Sequence, residues 1–309
     1  MSKDFKGKYT SVRNYIVDEE YINSRLDNCL ISQLKGLPRS KVYSIIRKGE
    51  VRVNSLRSKP DKRLKKDDVI RIPPYMIREK ASVEAGKSLI GLLEESIIYN
   101  ENSILILNKP EGLASYGGSG LKLGLIEAVR QLDSKFKNAQ LVHRLDRDTS
   151  GCIVLALKRP VLRILNKELR EGRVEKKYLA VVKGQWLHKE KLITLNLKKN
   201  QLRSGAREVI VRPDGKESIT RFKRLKGNKS LSLLECKLIT GRTHQIRVHT
   251  SHEGHPVIGD KKYGDSDTNN LYRKKGIKRM LLHAISINFP AINLSCSAKE
   301  PDIFTEIIN

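Results

Sequence analysis

The chain has 309 residues, long enough for two domains, one of them with a substantial core. Lys and Arg number 61 against 34 Asp and Glu, which gives a formal net charge of +27, and only 5% of residues are aromatic. This excess of positive charge favours a polyanionic partner, and nucleic acid is favoured over a membrane because no basic amphipathic helix stands out. A soluble basic protein without such a partner is the alternative.

Targeting and redox signals are absent from the sequence. No segment near the N-terminus has the apolar pattern of a signal peptide, and no stretch approaches the length of a membrane span. We therefore expect a cytoplasmic protein with no membrane partner. The four cysteines lack the paired spacing of a zinc site or a disulfide framework, so we expect reduced packing residues. They are Cys29, Cys152, Cys236 and Cys296.

Residues 13–74 predict a small α+β domain. Leucines at four-residue steps after Ser24, a suitable N-cap, indicate a first helix, and a second helix is expected from Ser40 to Gly49. Short strands are then expected at 51–53 and 69–72, before two consecutive prolines end the pattern.

Positive charge in this first block is concentrated between Lys35 and Lys66, a segment with twelve Lys or Arg and two acids. A charge run is usually a solvated face, but its coincidence with a helix-helix-strand unit favours contact with phosphate. Residues 13–72 resemble the small RNA-binding domain named after ribosomal protein S-four. The candidate RNA-contacting side chains of this domain are Arg25, Arg39, Lys41, Arg47, Lys48 and Arg52.

Residues 75–95 lack a clear period and predict a linker with at most one helical turn. A second domain is expected over 96–309, opening with two apolar runs around a polar turn at 100–103, which is typical of a β-hairpin. Helical patterns recur at 124–132 and after Pro160. Strand-like segments with few intervening helices continue to residue 289, so we expect an α+β fold with a mixed, mostly antiparallel sheet.

The nine-residue, mostly polar segment at 143–151 lies between apolar segments, so we expect it on a loop that the sheet holds in place. Asp146 stands between Arg144 and Arg147, whose guanidinium groups favour the ionised form of a neighbouring carboxylate. An ionised carboxylate among cations suits either a nucleophile or an anchor for the loop.

Two other segments are candidates for chemistry. Tyr178 begins an apolar strand directly after two lysines, although a strand tyrosine is most often a packing residue. Arg242 precedes a helix that Thr243 can cap and Gly254 can end. The N-terminus of that helix suits an anion, either a phosphate or the carboxylate of Asp146.

Two further patterns argue against other chemistry. The loop Tyr116–Gly120 lacks the endings of a P-loop or a serine-hydrolase elbow, and we expect it to shape the edge of a site. The histidines of the following helix region lack the paired spacing of a zinc site, so we expect no metal. They are His244, His249, His252 and His255.

Three segments together resemble the RluA-type pseudouridine synthase family, and its RluC-like branch in particular. They are His-Arg-Leu-Asp-Arg-Asp-Thr-Ser-Gly at 143–151, Lys-Lys-Tyr at 176–178, and Arg-Thr-His-Gln-Ile-Arg-Val-His-Thr at 242–250. The resemblance spans nearly the whole chain. It implies the pseudouridine synthase fold and an isomerase that converts uridines of bacterial large-subunit (23S) ribosomal RNA to pseudouridine without a cofactor.

The resemblance also implies roles for individual residues. Asp146 would be the nucleophile, attacking either the sugar or the base, and Arg242 would pair with it and keep it ionised. Tyr178 would lie against the uracil and act as general base for the C5 proton. Arg144 would occupy the space that the flipped nucleotide leaves in the stack, and Arg147 is a further RNA-binding candidate.

The expected partner is large-subunit ribosomal RNA or its assembly precursor, bound by a monomer. A ribosome-associated RNA-binding protein without activity is the alternative, and the combined presence of Asp146, Tyr178 and Arg242 argues against it. A metal-dependent nuclease would need a carboxylate cluster that the sequence lacks.

Overall fold

A computed structural model describes residues 8–34, 36–77, 83–118, 121, 123–201 and 207–308. The chain divides into two compact units, the first ending at Val83 and the second beginning at Glu84. Within these described ranges, every helix is too short or too polar to cross a membrane.

The first unit combines a four-stranded antiparallel sheet, a two-stranded sheet and two helices. Its elements are β1 (Lys8–Tyr9), β2 (Arg13–Ile16), α1 (Leu26–Gln33), α2 (Arg39–Arg47), β3 (Arg52–Val53), β4 (Leu56–Arg57), β5 (Val69–Ile72) and β6 (Met76–Ile77). The larger sheet has the strand order β2-β5-β3-β4, and β1 pairs with β6. The two predicted helices and both predicted strands are confirmed.

The start of α1 differs from the prediction. The N-cap residue is Arg25, one position after Ser24, and no side chain caps the helix. The amide of Leu26 donates to the carbonyl of Lys62 at 2.9 Å, and the amide of Asp27 donates to the carbonyl of Pro60 at 3.0 Å. Because backbone carbonyls already satisfy these first-turn donors, the predicted cap at Ser24 is wrong.

The core of the first unit forms where the apolar sides of its helices and strands pack together. Leu26 and Leu30 of α1 and Leu34 directly after it, the leucines at four-residue steps, are all buried. They pack with apolar residues of α2, β3 and β5 in one cluster. The sheet and helices therefore turn their apolar sides inward and leave the cations of α2 on the outside.

Among its described residues, the second unit is built on an eleven-stranded sheet with six helices around it. Its elements are α3 (Lys87–Glu95), β7 (Ile97–Glu101), β8 (Ile104–Lys109), α4 (Leu125–Leu132), β9 (Gln140–Leu141), β10 (Ser150–Ala156), α5 (Arg159–Arg170), β11 (Glu175–Lys183), β12 (Glu190–Gln201), β13 (Arg207–Val211), β14 (Lys216–Gly227), β15 (Leu231–Leu238), α6 (Gln245–His252), α7 (Ser266–Lys274), β16 (Leu282–Phe289), β17 (Leu294–Ser297) and the short α8 (Ile303–Glu306).

The main path of the sheet is β13-β12-β14-β15-β11-β16-β10-β8-β7, with β17 on β16 and β9 on β10. The pair β10 and β16 is parallel, and the other pairs are antiparallel. The predicted α+β class with a mixed, mostly antiparallel sheet is confirmed. The predicted hairpin at 97–107 is confirmed as β7 and β8, with Asn102 and Ser103 at positive φ in its turn.

The centre of this sheet is covered on both faces. Leu105 and Leu107 of β8 belong to the core that includes α3 and α4, whereas Ile104 and Ile106 belong to a second core that includes Leu165 of α5. Successive side chains of a strand point to opposite faces, so a strand buried on both sides is continuously apolar. This explains the uninterrupted apolar runs of β8 and β10.

The segment 75–95 differs from the predicted linker. Its described residues include β6 and the nine-residue helix α3, whose Leu93 is fully buried in the core of the second unit. Residues 78–82 lie outside the described residues. The two glycines at 86 and 91 weaken the helical pattern in the sequence, whereas burial of one helix face against α4 stabilises it in the fold.

Candidate active site

The polar loop at 143–149 connects β9 to β10, and neighbouring backbone holds it at both ends. The hydroxyl of Ser115 donates to the carbonyl of Leu145 at 2.7 Å and accepts from the amide of Leu145 at 3.2 Å. The amide of Thr149 donates to the carbonyl of Asp146 at 3.2 Å and closes a turn. Asp146 therefore lies on a rigid loop next to the sheet, as predicted.

Lys109, at the end of β8, ties this loop to the preceding turn. Its side chain is fully buried, and its ammonium group donates to the carbonyls of Pro110 at 2.7 Å, Leu113 at 2.8 Å and Arg147 at 3.1 Å. Burial lowers the pKa of Lys109 from its usual 10.5 to about 8. The three carbonyls use all three donors of the ammonium group, so Lys109 is a brace for the residue after Asp146.

His143 has a structural role in the same loop. Its Nε2 accepts a hydrogen bond from the amide of Val154 at 3.1 Å. Burial lowers its pKa to about 4, so the imidazole is neutral near pH 7. A neutral ring that accepts from the backbone of β10 holds the loop against the strand.

Gly151 permits the close approach of β10 and β16. Its φ is +110°, and a Cβ atom at this position would lie 2.3 Å from the carbonyl oxygen of Ala284. Only glycine fits this combination of backbone conformation and contact. The adjacent Ser150 hydroxyl lies 2.8 Å from Nδ1 of His283 and accepts from Arg279 at 2.5 Å, which fixes the end of the loop on β16.

Asp146 forms an ion pair with Arg247 of α6. Nη1 of Arg247 lies 2.9 Å from Oδ2 of Asp146, whose side chain is 28% exposed. Arg247 also binds the fully buried Asp260 through two hydrogen bonds, Nε to Oδ2 at 2.7 Å and Nη2 to Oδ1 at 2.8 Å. Burial alone would lower the pKa of Arg247, but the two carboxylates raise it above its usual value. Asp260 therefore aims a permanently charged guanidinium at Asp146.

The predicted pairing of Arg242 with Asp146 is wrong. Arg242 lies before α6, its side chain is exposed, and its Nε donates to the carbonyl of Glu217 at 3.0 Å. Arg242 and Arg247 belong to the same segment, but of the two only Arg247 lies on the helix and contacts the loop at 143–149. Arg242 lines the same cavity as Asp146, and its contribution to activity stays a prediction.

The start of α6 also differs from the prediction. His244, with φ of +55°, occupies the N-cap position expected for Thr243, and Thr243 is exposed. Nδ1 of His244 lies 2.8 Å from the hydroxyl of Tyr263, which also accepts from the amide of Val209 at 2.8 Å. Nε2 of His244 lies 3.7 Å from Oδ2 of Asp146.

These contacts favour one tautomer of His244. If the Tyr263 hydroxyl donates its proton to Nδ1, the remaining ring proton is on Nε2 and faces the carboxylate of Asp146. Burial lowers the pKa of His244, so the ring is neutral near pH 7. Arg247 and His244 then both direct donors at Oδ2, and Oδ1 of Asp146 has no hydrogen-bond partner among the described residues. Oδ1 is thus the oxygen available for reaction.

A cavity of about 720 Å³ opens in front of Asp146, and its lining brings the distant sequence segments together. The residues that the sequence singled out and that line it are Tyr116, Arg144, Asp146, Tyr178, Arg242 and His244. Tyr178 is buried, and burial together with Asp146 raises the pKa of its phenol above its usual 10. The phenol is therefore protonated near pH 7.

The two arginines of the loop at 143–149 are exposed to solvent. Arg144 is exposed at the cavity, and Arg147 is exposed with its Nε 3.2 Å from Oδ1 of Asp148. Ser119 and Gly120 of the predicted glycine-rich edge lie outside the described residues, whereas Tyr116 is 46% exposed at the cavity.

The candidate cations of the first unit fall into two groups. Arg39, Lys41, Arg47 and Lys48 are exposed on α2 and directly after it, and Arg52 is exposed on β3 with a hydrogen bond to the carbonyl of Ser55. Arg25 instead forms a two-point ion pair with the buried Asp27, at 2.7 and 3.1 Å. Burial alone would raise the pKa of Asp27, but Arg25 holds it below its usual value. Arg25 therefore anchors α1.

No group of three or more potential metal ligands occurs among the described residues. Two of the histidines considered as ligands contact protein groups instead: Nε2 of His249 lies 2.8 Å from the hydroxyl of Ser218, and Nδ1 of His255 lies 2.8 Å from the carbonyl of Lys183. The four cysteines are free thiols, three of them buried, which confirms the packing role.

Sequence patterns alone assign no role beside Asp146 to Arg247, Asp260, Tyr263 or Lys109, and they point to His244 only as a metal ligand that its spacing argues against. One signal was available for the first of these, because Arg247 stands between the apolar Ile246 and Val248, and a charged side chain that is buried with such neighbours needs a partner. His244 and Arg247 are three residues apart and share a side of the helix turn. The partners at 260 and 263 follow in a loop, where no periodic pattern marks them.

The chain is similar to known proteins along most of its length. Residues 103–252 match the family model for RNA pseudouridylate synthase, and residues 24–70 match the S4 domain. The chain is 46% identical to ribosomal large subunit pseudouridine synthase C of Haemophilus influenzae over 282 residues, covering 91% of this chain and 88% of the relative. It is 44% identical to the protein of the same name from Escherichia coli K12, covering 92% and 90%.

Among solved structures, human RNA pseudouridylate synthase domain containing 1 is 28% identical with a TM-score of 0.59, covering 74% of this chain and 89% of that one. The chain therefore belongs to the RNA pseudouridylate synthase family, and the predicted fold is confirmed.

Proposed function

We propose that this protein isomerises uridine to pseudouridine in large-subunit ribosomal RNA. The observation that carries the proposal is the carboxylate of Asp146, which lines an open cavity and is held there through Oδ2 by Arg247. The name of the relatives with 44–46% identity over about nine-tenths of the chain supports the same RNA class.

The proposed reaction needs one nucleophile and no cofactor. Oδ1 of Asp146 attacks the sugar or the base, the bond between N1 of uracil and C1′ of ribose breaks, and the base turns. A bond forms between C5 and C1′, the bond between Oδ1 of Asp146 and the nucleotide breaks and regenerates the carboxylate, the C5 proton leaves, and N1 is protonated, so the composition of the nucleotide does not change. Arg247 keeps Asp146 ionised and oriented throughout, because its own charge is fixed by the buried Asp260.

Tyr178 is proposed to lie against the uracil in the cavity. Its raised pKa means that less than about one in a thousand phenols is ionised near pH 7. A neutral phenol removes the C5 proton only if its own proton passes on at the same time. Tyr178→Phe therefore tests the base role: a loss of product with unchanged RNA affinity supports it, and an unchanged rate limits Tyr178 to packing.

Arg144 is proposed to compensate for the loss of stacking when the target nucleotide leaves the RNA helix. It is exposed at the rim of the cavity, two residues before Asp146. Unstacking one nucleotide costs a few kcal/mol, and a planar guanidinium can stack in the vacated space.

The first unit is proposed to supply affinity for the RNA backbone through exposed cations of α2. Lys41→Gln and Arg47→Gln should each reduce the salt slope of RNA binding by roughly 0.7–0.9, the value for one phosphate contact. Lys299→Gln, at a side chain that is 82% exposed in the second unit, is the matched control. Unchanged slopes in both α2 variants would remove this helix from the interface.

The decisive experiment incubates the protein with unmodified large-subunit ribosomal RNA and with assembly particles, and maps pseudouridine. We expect wild type to modify discrete uridines in the presence of EDTA and without nucleotide, and Asp146→Asn to give no product. We also expect a cytoplasmic monomer, which sedimentation and cell fractionation test. RNA binding without product from wild type would favour the inactive RNA-binding alternative.

A further inference from the structure

Lys176 shares the catalytic face of β11 with Tyr178. The two residues are two positions apart on a strand, so their side chains point to the same face, and both line the cavity that contains Asp146. Lys177 lies between them and points to the other face, where its ammonium group is 3.2 Å from Oε2 of Glu235.

The ammonium group of Lys176 has no hydrogen bond or ion pair within the described part of the chain. Its side chain is nevertheless half-buried, and burial lowers its pKa. Removing a cation from water without giving it a partner costs free energy. The fully buried lysine of this site, Lys109, has three carbonyl acceptors. The ammonium group of Lys176 is therefore available to bind an anion.

The surroundings of Lys176 favour an anion from outside the protein. Arg144, Arg170 and Arg242 also line the cavity, and Asp146 is its one lining carboxylate among the described residues. Nζ of Lys176 lies 3.4 Å from where a Cβ atom would be at Gly241, so the absence of a side chain there leaves room beside the ammonium group. Asp146 already binds Arg247 and is not the missing partner.

The chemistry of a nucleotide identifies the anion. Uracil and ribose are neutral near pH 7, whereas each phosphate carries a negative charge that Lys binds as a compact cation. We propose that Lys176 binds a phosphate group flanking the uridine that enters the cavity, and so sets the register of that nucleotide against Asp146. This inference rests on the proposed function.

The test compares Lys176→Met with Lys177→Met, which removes the neighbouring lysine on the opposite face. Lys176→Met should weaken binding of a wild-type RNA substrate roughly tenfold and raise KM by a similar factor, while kcat changes by less than about threefold. Lys177→Met should leave both constants near wild type, and Lys176→Arg should restore most of the affinity. Thermal unfolding of all variants checks that they are folded.

Neutral methylphosphonate linkages locate the contact. Placed on the 5′ or the 3′ side of the target uridine, one of the two should weaken binding to wild type about tenfold and have no effect on binding to Lys176→Met. Equal losses in wild type and Lys176→Met at both positions would overturn the inference, as would a fall in kcat without a change in affinity. The binding measurements do not require turnover, so absence of pseudouridine would refute the proposed function separately.

Discussion

Arg247 should carry both stability and activity, and the two contributions are separable. Arg247→Met leaves the carboxylate of Asp260, which is fully buried, without its guanidinium partner, although the backbone amides of Lys262 and Tyr263 still donate to it. Removing one partner of a buried ion pair costs about 3–5 kcal/mol of unfolding free energy. The double variant Arg247→Met with Asp260→Asn removes both buried charges and should recover about 1–3 kcal/mol of that loss.

The catalytic effect should not recover in the same way. Arg247 is the guanidinium 2.9 Å from Asp146, and loss of one such electrostatic contact reduces a rate about 10²–10³-fold. We expect this loss in both the single and the double variant, measured as a single-turnover rate at saturating protein, with urea unfolding for stability. Arg242→Met, whose guanidinium binds only the carbonyl of Glu217 among the described residues, should keep a rate within about tenfold of wild type.

Two results would refute this reasoning. If the double variant regains the rate together with the stability, Arg247 supports the fold and not the reactive carboxylate. If Arg242→Met loses as much rate as Arg247→Met, the contact with Asp146 in the active complex differs from the one described.

Three further predictions concern the support of the site. Gly151→Ala should lower the free energy of urea unfolding by about 3 kcal/mol or more, because its Cβ would overlap Ala284 at positive φ; a smaller loss would mean that the strands separate easily. The pKa of Lys109 is about 8 in the folded protein and 10.5 when the side chain is exposed, so the unfolded chain binds more protons between these two pH values. The unfolding free energy of wild type should therefore rise as the pH increases from 8 to 10. Lys109→Met should lack this contribution to the slope. Tyr263→Phe removes the partner of Nδ1 in His244. It should slow the single-turnover rate about fivefold, the equivalent of one hydrogen bond, and leave the RNA affinity unchanged. An altered affinity with an unchanged rate would contradict a positioning role.

The sequence predicts the elements of this protein well where local chemistry decides them. The hairpin β7 and β8 follows from two apolar runs around polar residues that tolerate positive φ, and the strand β10 from an apolar run buried on both faces. The sequence pattern does not predict the helix α3, because two glycines obscure its period, whereas tertiary packing of Leu89 and Leu93 stabilises it in the fold.

The site is less predictable because its contacts join residues far apart in the chain. The motif at 242–250 contains two arginines. Which of them pairs with Asp146 depends on the direction of α6 relative to the loop at 143–149. Asp260, which selects Arg247 by burying a complementary charge, follows the helix in an irregular loop. Asp146 and Tyr178 stand out because each lies where a polar segment meets a buried strand, whereas their proposed roles come from the resemblance to the family.

The brace formed by Ser115 and Lys109 has a consequence for protein engineering. Both residues hold the catalytic loop through its main-chain carbonyls, at Leu145 and Arg147, and not through its side chains. The position of Asp146 is thus insensitive to which side chains flank it. Replacing Arg144 or Arg147 would be the starting point for redirecting the protein to other uridines, since randomising either side chain leaves the loop backbone attached at the same atoms.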